Sequence, residues 1–209
     1  AAADVLSGAA PHDRLNAAAA AAAAREFGAR PSRVSASLRD APRLHHRTEP
    51  VGKAGGVAYV DDSKATNPHA TLAALAAYAP PDREPGPGGR REEGGERRVV
   101  LLAGGVAKGV DLSVLRPAVG RVRAVVTIGA TPEVVEQAFA GLVPTVRAAS
   151  MREAVRTAAG LAHDGDTVLL SPACASFDWY RSYEERGADF RREVEALVAE
   201  TATTGKSAR

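Results

Sequence analysis

The chain has 209 residues, of which 45% are hydrophobic and 25% are charged, and these fractions are typical of a globular protein. The formal net charge of +2 gives no reason to expect a nucleic-acid or membrane surface, and no run of about eighteen strongly apolar residues predicts a membrane-spanning helix. The single cysteine, Cys174, excludes an internal disulfide and is typical of a reducing compartment. With no signal-peptide pattern, we expect a cytoplasmic protein.

The first 43 residues favour helices. Asn16 precedes an alanine-rich helix that is predicted to end near Gly28, and Pro31 is predicted to begin a second helix that runs to Arg39. Two helices in so few residues cannot form a core of their own. We therefore predict that residues 1–43 are the helical tail of a preceding domain, and that the chain is a piece of a longer protein.

Residues 46–62 predict a β-hairpin, with a strand at His46–Val51, a turn over Gly52–Gly56 and a second strand that ends at Asp62. Strands and helices then alternate. Continuous apolar strands are predicted at Val99–Ala103, Ala124–Ile128 and Thr167–Leu170. Helices are predicted to begin near Asp111, after caps at Thr131 and Ser150, and near Asp189, the last of them ending at about Glu200.

This alternation predicts an α/β fold over residues 44–200, a Rossmann-like, mostly parallel sheet with helices on both faces. Two segments do not belong to its core. Residues 80–97 consist of proline, glycine and charged residues, and they are predicted to be a disordered insertion because no apolar burial offsets the entropy lost on ordering. Residues 201–209 are predicted to be a flexible tail.

Three polar loops follow strands of the predicted sheet. The first loop, Asp62–Asn67, contains the cation Lys64, and Asn67 is predicted to cap the helix that Pro68 begins. The second loop, Gly104–Asp111, is rich in glycine and contains one lysine, but it lacks the spacing of a phosphate-binding P-loop. The carboxyl ends of strands are where ligands bind in open α/β sheets.

The third loop, Ser171–Asp178, leaves its strand with small residues, hydroxyls and backbone amides that can surround a carboxylate. Within it, Cys174 is predicted to be a small packed residue rather than a nucleophile, since no histidine lies near it in the sequence. The chain continues to Tyr183 and the Glu-Glu-Arg-Gly stretch that follows it. Two of the loops carry a lysine, so the set predicts an anion site.

Together and in this order, the loops resemble the signature elements of the muramyl-peptide ligase family, most closely those of its D-glutamate-adding members. The resemblance covers residues 44–200. His46 and the arginine after it match the His-Arg pair that joins the family's central and carboxy-terminal domains. Asn16 matches the last residue of a His-Asn-x-x-Asn element near adenine, in which Asp13 here replaces the first asparagine. The helical first segment would then be a remnant of the central ATPase domain, and the chain a carboxy-terminal portion.

The resemblance implies that ATP is bound by Asn16 at adenine, Asp62 at the ribose hydroxyls and Arg47 at the phosphates. It implies catalytic roles for Lys64, near the transferred phosphate, and for His46, which shapes the junction between domains. It implies no metal ligand in this chain. The Mg²⁺ that accompanies ATP is expected to take its ligands from the missing part.

For D-glutamate, the resemblance implies that Thr66 and Lys108 bind the side-chain carboxylate, whereas Ser176 and the backbone of Tyr183 bind the α-carboxylate. A dicarboxylate needs two anion sites held apart. A lysine loop and a loop of hydroxyls and amides would supply two such sites.

The activity implied is that of peptidoglycan synthesis. ATP phosphorylates UDP-N-acetylmuramoyl-L-alanine, and the amine of D-glutamate attacks the acyl phosphate. The protein would act as a monomer with no nucleic acid or membrane partner. The sequence contains no P-loop, no segment suited to magnesium ligands and no domain for the uridine nucleotide, so the chain alone is expected to be inactive.

Two alternatives stay open. One is a sister muramyl-peptide ligase or a folylpolyglutamate synthase, families that share the fold but differ from the Asp-Asp-Ser-Lys-Ala-Thr-Asn stretch of this chain. The other is a non-catalytic binding module that kept the fold.

Overall fold

The computed structural model describes residues 11–41, 44–78 and 99–207. The predicted insertion at 80–97 and the last two residues of the predicted tail lie outside these ranges. The chain divides into two compact units, Ala1–Leu44 and His45–Arg209, so the division falls one residue after the boundary predicted between 43 and 44.

Over residues 11–41, the first unit forms helices α1 (Pro11–Glu26) and α2 (Pro31–Arg39). Helix α2 has the predicted bounds. The predicted start of α1 after Asn16 is wrong, because the helix already begins at Pro11, a residue that the first helical position tolerates. Asn16 therefore lies inside α1, where its side chain is exposed.

The second unit is built on a six-stranded sheet. Its strands are β1 (Glu49–Ala54), β2 (Val57–Asp61), β3 (Val99–Gly104), β4 (Val122–Ile128), β5 (Thr145–Arg147) and β6 (Thr167–Leu170). Their order across the sheet is β1-β2-β6-β3-β4-β5. Only the β1–β2 pair is antiparallel among the pairs between these strands, which confirms a mostly parallel sheet.

Helical segments connect the strands. They are α3 (Pro68–Ala77), a 3₁₀ helix (Leu112–Arg121), α4 (Pro132–Phe139), α5 (Met151–Leu161) and α6 (Tyr183–Ser207). Two predicted caps are confirmed, since Asn67 Oδ1 accepts from Ala70 N at 3.0 Å and Ser150 Oγ accepts from Glu153 N at 3.2 Å. The helix predicted near Asp111 is a 3₁₀ helix that contains Pro117, a residue without the N–H that a regular helix uses.

Apolar side chains cover both faces of the sheet. On one face, Leu101 of β3 packs in a cluster with Leu75 of α3 and Phe139 of α4. On the other face, Leu102 packs in a cluster with Val155 of α5. Every residue of β3 is buried, as expected for a central strand covered by helices on both sides. The predicted two-sided α/β architecture is thus confirmed.

The hairpin turn, one short strand and the last helix also differ from the predictions. The hairpin turn is Gly55-Gly56, with φ of +55° and +79°, because two consecutive glycines supply the left-handed conformations of a two-residue turn; Gly52 stays inside β1. Strand β5 was not predicted, since it has three residues and lies at the sheet edge. Helix α6 begins six residues before Asp189 and continues to Ser207, so residues 201–207 are helical rather than a flexible tail.

Within the described ranges, no helix combines the length and the apolar character needed to cross a membrane.

Candidate amino-acid-binding site

The three polar loops lie side by side because their strands are neighbours. The first loop follows β2, the third follows β6 and the second follows β3, and these strands are adjacent in the order β2-β6-β3. The strands are parallel, so all three loops lie at the carboxyl ends of the strands, on the same side of the sheet. The sequence predicted the three loops, whereas the pairing of β6 between β2 and β3 brings them together.

The second and third loops are joined through their backbones. Val106 N donates to Ala175 O at 2.9 Å, and Ala175 N donates to Val106 O at 3.2 Å. Gly105 makes this approach possible, because it has φ of +132° and a side chain there would overlap the Ala175 carbonyl. Lys108 and Ser176, predicted to bind opposite carboxylates of one ligand, therefore lie on loops that contact each other.

Lys108 and Ser176 differ in exposure. Lys108 is exposed, and its Nζ lies 4.9 Å from the ring centroid of Phe177, whose side chain is also exposed. Ser176 is buried, and its carbonyl accepts from Tyr180 N at 3.0 Å. The side chain of Lys108 is thus accessible to a ligand, whereas Ser176 as a whole residue is buried.

The first and third loops are joined by Arg186 of α6, a residue that sequence reasoning did not single out. Its side chain is buried, and it donates from Nε to Ser63 Oγ at 2.9 Å, from Nη2 to Ser63 O at 2.8 Å and from Nη1 to Cys174 O at 3.1 Å. Burial lowers the pKa of the Arg186 guanidinium to about 10, which leaves it charged near neutral pH. Cys174 is buried, as predicted, and burial raises the pKa of its thiol to about 11.

Lys64, Tyr183 and His46 form one group. Lys64 Nζ donates to the Tyr183 hydroxyl at 2.9 Å and lies 4.4 Å from the centroid of that ring. The His46 ring meets the Tyr183 ring edge-on, with centroids 6.3 Å apart. The structure therefore brings together the predicted phosphate lysine, the predicted junction histidine and the first residue of α6.

Asp62, predicted to bind ribose, is the first residue of the first loop and is buried. Its Oδ1 accepts from Thr48 N at 3.2 Å, and its Oδ2 accepts from Ser171 Oγ at 2.8 Å. Burial raises the pKa of this carboxyl to about 7, although both hydrogen bonds act in the opposite direction, and Arg47 also lowers the pKa through its charge. Asp62 therefore links the first loop, the third loop and the 46–48 segment.

A second carboxyl, Asp61, pairs with His46. The distance between His46 Nδ1 and Asp61 Oδ2 is 2.7 Å, and Asp61 is fully buried. His46 has φ of +59°, a conformation that is uncommon for residues other than glycine. The His46 carbonyl accepts from Lys64 N at 3.0 Å. This bond and the contact of the ring with Asp61 together hold the backbone conformation of His46.

His46, Asp61 and Glu49 bring three potential metal ligands within 4.8 Å of one another. Mg²⁺ prefers oxygen ligands, and here one of the three ligands is an imidazole. Arg191 already lies 2.9 Å from Glu49 Oε2, and Ser63 N donates to Asp61 Oδ1 at 2.9 Å. The cluster fits a hydrogen-bonded ion-pair network and does not fit Mg²⁺. That this chain supplies no metal ligand remains a prediction.

The family model described as "Mur ligase, glutamate ligase domain" matches residues 46–174, more than half of the chain. The chain belongs to this family. Family membership confirms the resemblance seen in the sequence.

Two relatives with high sequence identity to this chain have the same name. The UDP-N-acetylmuramoylalanine--D-glutamate ligase of Methylococcus capsulatus is 44% identical over 188 residues, which cover 90% of this chain and 37% of that protein. The ligase of the same name from Bordetella parapertussis is 46% identical over 189 residues, covering 90% and 34%. The chain thus spans only about a third of the length of these relatives.

The solved structures support the fold. The UDP-N-acetylmuramate-alanine ligase of Thermotoga maritima superposes with a TM-score of 0.56 at 14% identity, covering 90% of this chain and 39% of that one. At this identity the likeness shows that the fold is shared and nothing further.

The remaining predicted site residues of this Mur ligase chain are less constrained. Thr66 is exposed, and its backbone N donates to Lys64 O at 2.9 Å. Arg47 is half-buried. Asn16 belongs to the first unit rather than to the unit that carries the three loops. Its adenine contact remains a prediction.

Sequence reasoning missed Arg186 and the start of α6, and one signal was available for both. Ser182 and Glu185 form a capping box of the same kind as the one predicted at Ser150, with Glu185 N donating to Ser182 Oγ at 3.3 Å and Arg181 N donating to the Glu185 carboxylate at 2.8 Å. Recognising this pattern would have placed Tyr183 at the first helical position. Nothing in the sequence shows that the Arg186 side chain then bonds to the loops that follow β2 and β6.

Proposed function

We propose that the second unit is the amino-acid-binding domain of a ligase that joins D-glutamate to UDP-N-acetylmuramoyl-L-alanine at the expense of ATP. The observation that carries the proposal is the contact of the second and third loops at Val106 and Ala175, next to the first loop on the same sheet edge. This arrangement offers a dicarboxylate two separate anion sites. The names of the relatives support D-glutamate as the amino acid.

In the proposed complex, Lys108 and Thr66 bind the side-chain carboxylate of D-glutamate. Both residues are exposed on loops that leave the same edge of the sheet. An ammonium and a hydroxyl both donate hydrogen bonds to a carboxylate, and the charge-assisted bond from the lysine is the stronger of the two.

The α-carboxylate is proposed to lie against Ser176 and the backbone N–H of Tyr183. Tyr183 is the first residue of α6, and the first amides of a helix lack partners within the helix and lie at the positive end of its dipole. A carboxylate bound at such a terminus leaves the amine of D-glutamate free to act as the nucleophile.

Lys64 is proposed to stabilise the negative charge on the phosphoryl group that ATP transfers, and Arg47 the remaining phosphates. Lys64 rests on the Tyr183 hydroxyl, so the same residue would contact the amino acid through its backbone and the phosphate lysine through its side chain. His46 pairs with Asp61, and Asp62 accepts from Thr48 N. Asp62 is proposed to bind the ribose hydroxyls of ATP and His46 to shape the junction between domains. ATP with Mg²⁺, a monomeric state and a cytoplasmic location complete the proposal.

The test uses the complete protein that carries this sequence, assayed for phosphate release with UDP-N-acetylmuramoyl-L-alanine, D-glutamate, ATP and Mg²⁺. A charge-assisted hydrogen bond contributes about 1.5–3 kcal/mol, so Lys108→Ala should raise the KM for D-glutamate about tenfold to a hundredfold and leave the KM for ATP nearly unchanged. Lys64→Ala should mainly lower kcat. The matched control is Lys53→Ala, an exposed lysine on the edge strand β1.

Equal effects of Lys108→Ala on both KM values would contradict the assignment of that lysine to D-glutamate. Absence of D-glutamate-dependent phosphate release by the unmutated protein, together with measurable binding of D-glutamate, would instead favour a non-catalytic binding module.

A further inference from the structure

Arg186 stands out among the buried polar residues because it bonds to the loops without belonging to any of them. It is 1% exposed, and within the described part of the chain it donates hydrogen bonds to a hydroxyl and two backbone carbonyls rather than to a carboxylate. A buried guanidinium is costly unless its donors are matched by acceptors. Here three donors are matched, and each bond ends on a loop of the proposed site.

The bonds define a fixed distance between two loops. Two of them fasten Ser63 of the first loop, and the third fastens Cys174 of the third loop. Ser63 Oγ in turn donates to Tyr183 O at 2.8 Å, which ties the first turn of α6 to the same point. The second loop is close as well, since a side chain added at Gly105 would come within 3.4 Å of Arg186 Nη1.

These loops carry the proposed binding groups. Lys64 follows Ser63 directly, Thr66 lies three residues beyond Ser63, and Ser176 lies two residues beyond Cys174. The planar fork of an arginine presents its donors in a rigid arrangement, which a lysine cannot reproduce. Arg186 thus bonds to the loop that carries Thr66 and to the loop that carries Ser176, while its own side chain is buried.

We propose that Arg186 is a positioning residue for D-glutamate, one that holds the first and third loops at the separation at which both carboxylates of the amino acid are bound at once. This inference rests on the proposed function. A ligand with a single carboxylate would not require this separation, whereas a dicarboxylate would.

The test compares Arg186→Lys with the unmutated complete protein. Lysine keeps the charge but cannot make the three bonds, so the KM for D-glutamate should rise about tenfold or more, by the loss of at least one charge-assisted bond, while the KM for ATP changes less than about threefold. The assay is run well below the unfolding midpoint of each variant. Ser63→Ala is the milder second variant, and it should raise the same KM about threefold to tenfold without removing the arginine.

The matched control is Arg123→Lys. Arg123 lies in β4 near the amino ends of the parallel strands and makes a two-point contact with Asp166, from Nε at 2.5 Å and from Nη2 at 3.2 Å. This substitution should lower the unfolding midpoint but leave the KM for D-glutamate unchanged. It thus separates a loss of stability from a loss of loop position.

The proposal is overturned if Arg186→Lys lowers the unfolding midpoint but has the same KM for D-glutamate and for ATP as Arg123→Lys. It is also overturned if Arg186→Lys raises the KM for D-glutamate and the KM for ATP equally. If the lysine variant does not fold, an unchanged KM for D-glutamate in Ser63→Ala overturns the proposal by itself. Failure of the proposed function is distinguishable, because it would already appear as absent D-glutamate turnover in the unmutated protein.

Discussion

Thr127 of β4 shows how much a single buried hydroxyl matters in this core. It is fully buried, and within the described residues its Oγ1 is the buried side-chain oxygen that has no hydrogen-bond partner. An unsatisfied buried hydroxyl costs about 1–3 kcal/mol. We expect Thr127→Val, which keeps the shape and removes the hydroxyl, to raise the free energy of unfolding by about 1 kcal/mol in urea titration.

Thr71 of α3 provides the control for Thr127. It is equally buried, but its Oγ1 donates to Ser171 O at 3.1 Å. Thr71→Val should therefore destabilise the protein, since it leaves the Ser171 groups with one partner fewer. Equal shifts of the same sign in both variants would refute the explanation by hydrogen-bond satisfaction.

Asp62 predicts a pH dependence of stability. An aspartate in an unfolded chain has a pKa of about 3.9, whereas burial raises the pKa of Asp62 to about 7 in the folded protein. The folded state thus holds this proton more tightly. Its contribution to stability is complete below about pH 4, falls as the pH rises from about 4 to 7 and is lost above that.

Asp62→Asn removes this titration while keeping a similar shape. The difference in unfolding free energy between the variant and the unmutated chain should grow in favour of asparagine from pH 4.5 to pH 8. The slope should be on the order of 1.4 kcal/mol for each pH unit between the unfolded and folded pKa values. Urea unfolding at the two pH values measures it. A difference that does not vary with pH would show that Asp62 stays ionised in the folded protein.

Gly187 of helix α6 lets the helix backbone lie close to His46 and Asp61. It lies in the first two turns of the helix, and a side chain there would overlap His46 Nδ1 and come within 2.9 Å of Asp61 Oδ2. Glycine inside a helix costs about 1 kcal/mol relative to alanine. A larger residue does not fit at this position, because the His46–Asp61 pair packs directly against the helix backbone.

Gly187→Ala should therefore lower stability by about 1 kcal/mol or more, despite the better helix propensity of alanine, because the His46–Asp61 pair must move. Gly160 in α5 is the matched control, since a side chain there meets nothing within 4 Å. Gly160→Ala should leave stability unchanged or raise it by up to about 1 kcal/mol. Thermal unfolding distinguishes the two, and a stabilising Gly187→Ala would show that His46 does not require this approach.

At the scale of the whole molecule, the chain spans only about a third of the length of the relatives it matches. Its sequence contains no Gly-x-x-x-x-Gly-Lys-Ser/Thr element, the arrangement whose backbone amides cradle the phosphates of ATP. We expect the 209-residue chain by itself to release no phosphate from ATP above background in the presence of both substrates and Mg²⁺. The complete protein is the positive control. Substrate-dependent turnover by the chain alone would refute this expectation.

The fold class could be predicted from the sequence because its signals are local. Continuous apolar runs at β3, β4 and β6 and the caps at Asn67 and Ser150 depend on neighbouring residues only. The three loops and their lysines could be found in the same way, since each follows a strand directly. Short β5 could not, because three residues at a sheet edge carry too little pattern.

By itself, the sequence determined the family of the chain and the polar loops that carry the predicted binding residues Lys64, Lys108 and Ser176. Only the tertiary structure decided how those residues are held. The pairing of β2 with β6, the bonds of Arg186 to Ser63 and the approach of His46 to Gly187 each join segments more than 100 residues apart. No local pattern contains such pairings, because strand order and burial follow from the packing of the whole sheet.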